Sequence, residues 1–187
     1  MQNHVFMLLL LVTCTCFSVS AQSTQEIRSI YQRIQKELPH YASKSVPIFG
    51  MSAEGGEATG YYKDSVIQKL SGVFLGESGK RFVNYYYKDA KPVFVLSTSH
   101  NYNRPVYYTK EMAEEYGEDE YFDGEKTRIT EESFYLKNDS VYIWLNNDGN
   151  PADMGTEDKK TKAEELSSTS KKLQELLTNY KEEGAGY

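Results

Sequence analysis

Apolar residues change their spacing twice along this chain. Ile27, Ile30, Tyr31, Ile34 and Leu38 recur every three or four positions until Pro39 ends the run. That spacing predicts an amphipathic helix over residues 23–38. Its start carries a capping box, Ser23-Thr24-Gln25-Glu26, in which the two outer side chains satisfy each other's free backbone donors. From 57 to 146 the spacing shortens to alternation. Val, Ile, Phe, Tyr and Thr crowd Val66 to Leu75, Arg81 to Lys88, Val93 to His100 and Ser133 to Leu145. The polar breaks Lys63-Asp64-Ser65, Gly76 to Gly79, Lys88-Asp89-Ala90 and Lys137 to Ser140 predict antiparallel hairpins between them. The three- and four-residue steps return through Ala163, Leu166, Ser170, Leu173, Leu177 and Tyr180. They predict a second helix over 157–182, with Thr156 able to cap it and Gly184 beyond its end. A serine on this short seam favours docking onto the domain's own sheet over a coiled coil. The pattern therefore predicts one α+β domain over 22–187, an antiparallel meander of about six to eight strands flanked by an N-terminal and a C-terminal helix.

One phrase recurs inside the meander. Tyr61-Tyr62-Lys63-Asp64 returns as Tyr86-Tyr87-Lys88-Asp89, 25 residues on, and is echoed by Tyr135-Leu136-Lys137-Asn138, with Tyr87 and Tyr135 lying 48 apart. Each copy reads as the end of one strand plus the turn of a hairpin, and a distorted copy is expected around Tyr107 to Lys110. Alternation puts Phe82, Asn84 and Tyr86 on one face and Val83, Tyr85 and Tyr87 on the other. Both faces are aromatic, so the sheet must either curl around its helices or expose a tyrosine-rich surface.

Residues 5–19, VFMLLLLVTCTCFSV, have the length of a signal-peptide core and are too short to span a bilayer as a helix. Cleavage is expected after Ala21, giving a secreted or periplasmic domain that is not an integral membrane protein. Cys14 and Cys16 both lie in this segment, so the mature domain has neither disulfide nor thiolate chemistry. The alternative is a lipid anchor through Cys14 or Cys16, for which Leu11-Val12-Thr13-Cys14 is the relevant sequence.

The net charge of −6 falls entirely on the mature domain and argues against a nucleic-acid partner, which would require a basic surface. No cofactor is expected, since the glycines sit between strands and form no phosphate loop. Asn146, Asp148, Asn150 and Glu157 occupy positions 1, 3, 5 and 12 of a calcium-loop register, but Pro151 stands where that loop needs glycine. A hydrolase reading would use Ser99 and His100, yet alternation puts them on opposite faces and no nucleophile-elbow glycines flank the serine. The acidic run Glu111 to Glu125 reads as a solvated loop. There remain sixteen tyrosines, more than a core of this size requires. Tyrosine serves both cross-strand ladders and interfaces. A candidate binding patch is Tyr85, Tyr87, Tyr107, Tyr108 and Trp144.

The exported N-terminus ending in Ala21-Gln22, the lack of mature cysteine and the Tyr-Tyr-Lys-Asp hairpins resemble uncharacterised secreted or periplasmic β-meander proteins of the Bacteroidota. The phrases also look like the tyrosine-rich hairpin repeats of MORN-type proteins, with Ser65, Ala90 and Ser140 where a turn glycine usually follows the Asp. The resemblance implies a non-catalytic interaction role. The expected function is an exported module that binds a protein or an envelope polymer through its tyrosine-rich strands. A carbohydrate-binding accessory domain is the alternative.

Overall fold

The computed structural model describes residues 24–180. The expected signal peptide with Cys14 and Cys16, the Ser23 cap, residues 181–182 of the C-terminal helix and Gly184 lie outside the described residues. The chain runs from helix α1 (24–37), through a 3-10 turn at Leu38–His40, into a single seven-stranded sheet. Its strands are β1 (Ala42–Ile48), β2 (Gly56–Lys63), β3 (Val66–Gly76), β4 (Gly79–Lys88), β5 (Lys91–Asn101), β6 (Arg128–Lys137) and β7 (Ser140–Leu145). A short helix α2 (Lys110–Tyr116) lies between β5 and β6, and α3 (Thr156–Asn179) follows β7. Every strand pairs antiparallel with its neighbour in sequence, so spatial order equals chain order. The fold is α+β, as the spacing predicts.

β1 falls outside the predicted meander. Its sequence ASKSVPI offers only Val46 and Ile48 as buried apolar residues and contains Pro47, which an edge strand tolerates because one row of its backbone donors has no sheet partner. The cap of α3 also differs. Thr156 is the first helical residue, Gly155 holds the cap position, and Asp158 Oδ2 accepts the Gly155 N–H at 2.9 Å.

The repeated phrase has a structural meaning. Asp64-Ser65, Asp89-Ala90 and Asn138-Asp139 are two-residue hairpin loops in which both residues have positive φ, the backbone that right-twisted strands require of a tight turn. Each loop is flanked by the same bulge. Register shifts between Tyr61 and Tyr62, between Tyr86 and Tyr87, and between Tyr135 and Leu136. Leu136 is thus the counterpart of Tyr87, one residue beyond the match by letter. The distorted copy expected around Tyr107 does not exist as a hairpin, because that stretch belongs to the long link from β5 to β6. Ala90 sits at φ 59°, where a Cβ is sterically disfavoured by about 1–2 kcal/mol. After the greater chain entropy of glycine is deducted, Ala90→Gly is expected to stabilise the protein by about 0.5–1 kcal/mol. Its thermal midpoint should rise by a few degrees in a melting experiment.

Each helix covers one face of the sheet. α3 crosses the face that carries Val46, Ala58, Leu70, Val83, Tyr85, Tyr87, Val95, Phe134 and Trp144, and supplies Ala163, Leu166, Leu173 and Leu177 to that core. The predicted seam is the buried stripe, apart from Tyr180, which is exposed. At Gly72 the helix comes close enough that an added Cβ would lie 2.9 Å from Leu173 Cδ1 and 3.0 Å from Phe74 Cε2, so any larger residue must displace these side chains. α1 covers the other face, where Ile27 and Ile34 pack with Tyr86, Phe94 and Tyr135. Tyr31 completes the cluster edge-on, 4.9 Å from Tyr86 and 5.6 Å from Phe94. Lysines of two repeated phrases hold the ends of α1: Lys88 pairs with Glu26, and Lys63 with Glu37 at 3.0 Å.

Candidate functional site

The two ends of the sheet differ. Between strands, one end carries only tight hairpin turns, the three at Asp64-Ser65, Asp89-Ala90 and Asn138-Asp139. The other carries every long link: 49–55 between β1 and β2, 102–127 between β5 and β6, and 146–155 after β7. Tight turns offer little surface for recognition, whereas long links on a rigid sheet are the usual place for it.

Four strand tyrosines, Tyr85, Tyr86, Tyr87 and Tyr135, are taken up by the core, while Tyr61, Tyr62 and Tyr142 are half-buried. Tyr85, Tyr86 and Tyr87 are each only 1% exposed, so neither aromatic face is the open surface that the sequence allowed for. The physical reason is that the two helices lie across opposite faces at these residues. Tyr87 is also bonded internally: its hydroxyl lies 2.7 Å from Ser170 Oγ, and Gln174 Nε2 donates to both oxygens at 3.1 Å. This triad explains the serine in the apolar seam of α3. Burial pushes the Tyr87 phenol up to about 12, against the hydrogen bonds from Ser170 and Gln174 that favour its ionised form. Burial likewise raises Tyr85 and Tyr86 far above the ordinary phenol range. Trp144 is buried as well; its Nε1–H donates to Glu132 Oε1 at 3.0 Å, and its ring lies 5.5 Å from Lys162 Nζ.

The proposed patch is therefore split. Tyr85, Tyr87 and Trp144 lie beneath α3, Tyr108 is half-buried with the Arg104 guanidinium 5.3 Å from its ring, and only Tyr107 is fully presented, at 53% exposure. The exposed apolar residues fall instead at one end of the sheet, a placement that no spacing rule selects. Among the ten large hydrophobic residues exposed in the described chain, Phe49, Leu75, Val106, Tyr107, Tyr116, Tyr121 and Ile129 all lie in, or beside, the links at the loop-bearing end. The sequence signal for two of them, Tyr116 and Tyr121, is that they interleave with the acidic run Glu111 to Glu125.

The 102–127 link is braced from within. Asn103 Oδ1 accepts the Asp123 N–H at 3.0 Å while its Nδ2 donates to Tyr121 O at 2.9 Å. Arg104 pairs with Glu118 at 2.6 Å, and Tyr102 packs edge-on to Phe122 at 5.3 Å. Thr109 caps α2, which Gly117 terminates at φ 68°. Two backbone bonds, Tyr102 N to Ser78 O at 3.0 Å and Val106 N to Glu77 O at 2.9 Å, fasten the link to the β3–β4 turn. The link holds eight carboxylates against Arg104, Lys110 and Lys126, so its surface field is negative.

The other candidates resolve as follows. Asn146 Oδ1 accepts the N–H groups of Asp148 and Asn150 at 3.1 and 3.0 Å, which makes this segment a self-bonded turn. Glu157 lies in the first turn of α3, 3.5 Å from Lys160. Among the described residues no group of three or more His, Cys, Asp or Glu side chains is placed to share a metal ion. Ser99 faces a small cavity under α3, while His100 lies on the opposite face against Phe82, with ring centroids 5.4 Å apart. Their separation across the sheet leaves the serine without that histidine as a base.

Together these features define an α+β protein whose aromatic strands build the core and whose loop-bearing end presents rings in an acidic setting. The chain matches no protein-family model, no curated protein and no solved structure. Among the described residues no helix is long and apolar enough to cross a membrane.

Proposed function

We propose that this chain is an exported, non-catalytic interaction module that engages a protein or envelope polymer through the loop-bearing end of its sheet. The observation that carries this reading is the placement of the exposed rings Phe49, Tyr107, Tyr116 and Tyr121 at that end, while Tyr85, Tyr86, Tyr87 and Tyr135 of the strands are buried. Tyrosine gives a large contact area for little loss of side-chain freedom, which is why it is enriched where proteins bind. The internal bonds of the 102–127 link add to this by fixing the rings before a partner arrives, which lowers the ordering cost of association. Export is supported by the apolar run at residues 5–19 and the small residues before Gln22.

The test compares the chain with a variant carrying Tyr107→Ser, Tyr116→Ser and Tyr121→Ser, each immobilised and exposed to an envelope extract of the source organism. A species retained by the parent and lost by the variant, with the unfolding midpoint unchanged, is the expected result. Equal retention by both, or retention by neither, would count against binding at this end. A soluble glycan that elutes the retained species would favour the carbohydrate-binding form of the reading, since sugars stack on exposed rings.

A further inference from the structure

The cavity beneath α3 has a chemistry of its own. It measures about 70 Å³ and is lined by the hydroxyl-bearing residues Tyr85, Ser97, Ser99 and Thr169 together with four charged side chains. Its charged groups are committed to one another or to a neighbour. Glu165 accepts from Arg81 at 3.2 Å and from Lys162 at 2.6 Å, and Glu132 accepts from the Trp144 indole. Two cations and two carboxylates leave no net charge to attract an ion. The hydroxyls are what remain. Tyr85 is only 1% exposed and lines this space together with Thr169; its Oη is buried and makes no hydrogen bond of good geometry. A buried phenol without a partner is rare and costly.

We infer that this cavity is a binding site for a neutral hydroxylic ligand, namely one or two water molecules that bridge Tyr85 Oη to the hydroxyls of Ser97, Ser99 and Thr169. Size supports it, because a water occupies about 30 Å³ in the liquid and needs two to four polar partners. Charge supports it too, since the balanced Arg81, Lys162, Glu132 and Glu165 set favours neither an anion nor a cation.

A high-resolution crystal structure of the full chain, grown in parallel with and without bromide, tests the inference. One or two water-sized density peaks within hydrogen-bonding distance of Tyr85 Oη, with no anomalous bromide signal, are expected. A dry cavity, a direct Tyr85–Thr169 bond without solvent, or a bromide peak would overturn it. In solution, Tyr85→Phe removes the phenol from the bridge and should lower the folded-to-unfolded ratio about fivefold, the cost of one net hydrogen bond. An unchanged or raised ratio would show that the hydroxyl had no partner to lose, and would overturn the inference independently of the crystals.

Discussion

Tyr87→Ala is expected to destabilise the protein by about 3–5 kcal/mol, the cost of deleting a buried aromatic ring. Two effects contribute. The ring leaves a hole in the core between β4 and α3, where Tyr87 packs with Leu70, Val95 and Leu136 in the same cluster. Its hydroxyl is also lost from the triad with Ser170 and Gln174, although those two remain bonded to each other. Tyr87→Phe separates the contributions: it keeps the ring and should cost only about 1 kcal/mol. Tyr107→Ala, on the exposed link, should fall within about 0.5 kcal/mol of the parent. Urea denaturation of the three variants measures these differences through their midpoints, provided the slopes agree. A Tyr87→Ala variant as stable as the parent would mean that this tyrosine is not a core residue. Loss of binding in such a variant would carry no information about an interface, because the fold itself would be compromised.

Leu173→Ala is the second large effect, expected at about 2–5 kcal/mol because Leu173 is fully buried where α3 crosses β3. Gly72→Ala should also destabilise, by about 1–3 kcal/mol, since the new methyl would press on Leu173 Cδ1 at 2.9 Å and on Phe74 Cε2 at 3.0 Å. Combining them is the informative experiment. Shortening Leu173 removes the atom that the new methyl meets, so the double variant should be less destabilised than the two single losses added together, by about 0.5–3 kcal/mol. Strict additivity in equilibrium unfolding would place α3 farther from Gly72 than the structure does. The residual clash with Phe74 sets a limit on the recovery, as that ring is unaffected by the Leu173 change.

How much of this was legible from the residues depends on where the determining contacts lie. The hairpins were legible because their signal is local: Lys63-Asp64-Ser65 and Lys88-Asp89-Ala90 carry both the turn and its flanking strand ends within a few residues. The buried stripe of α3 was legible for the same reason, down to Ser170, though its partner Tyr87 was not, being 83 residues away in the chain. β1 was missed because ASKS is polar and Pro47 argues against a central strand, while its pairing with β2 is decided by register across the sheet. Alternation correctly divided Tyr85 and Tyr87 from Tyr86. It could not say which side would be covered, because that depends on the path of α1 and α3 over the sheet. The polar cavity was invisible for a related reason: Arg81, Ser97, Glu132 and Glu165 come from β4, β5, β6 and α3, and no short window contains two of those elements' contributions.

The division between buried structural tyrosines and presented ones at the loop-bearing end is the central claim, and nitration of the native chain with tetranitromethane, mapped by peptide mass spectrometry, tests it most directly. The account predicts modification of Tyr107, Tyr116 and Tyr121, whereas Tyr85, Tyr86 and Tyr87 stay unmodified until denaturant is added. Nitration of Tyr85 or Tyr87 in the folded protein, or protection of all three link tyrosines, would contradict it.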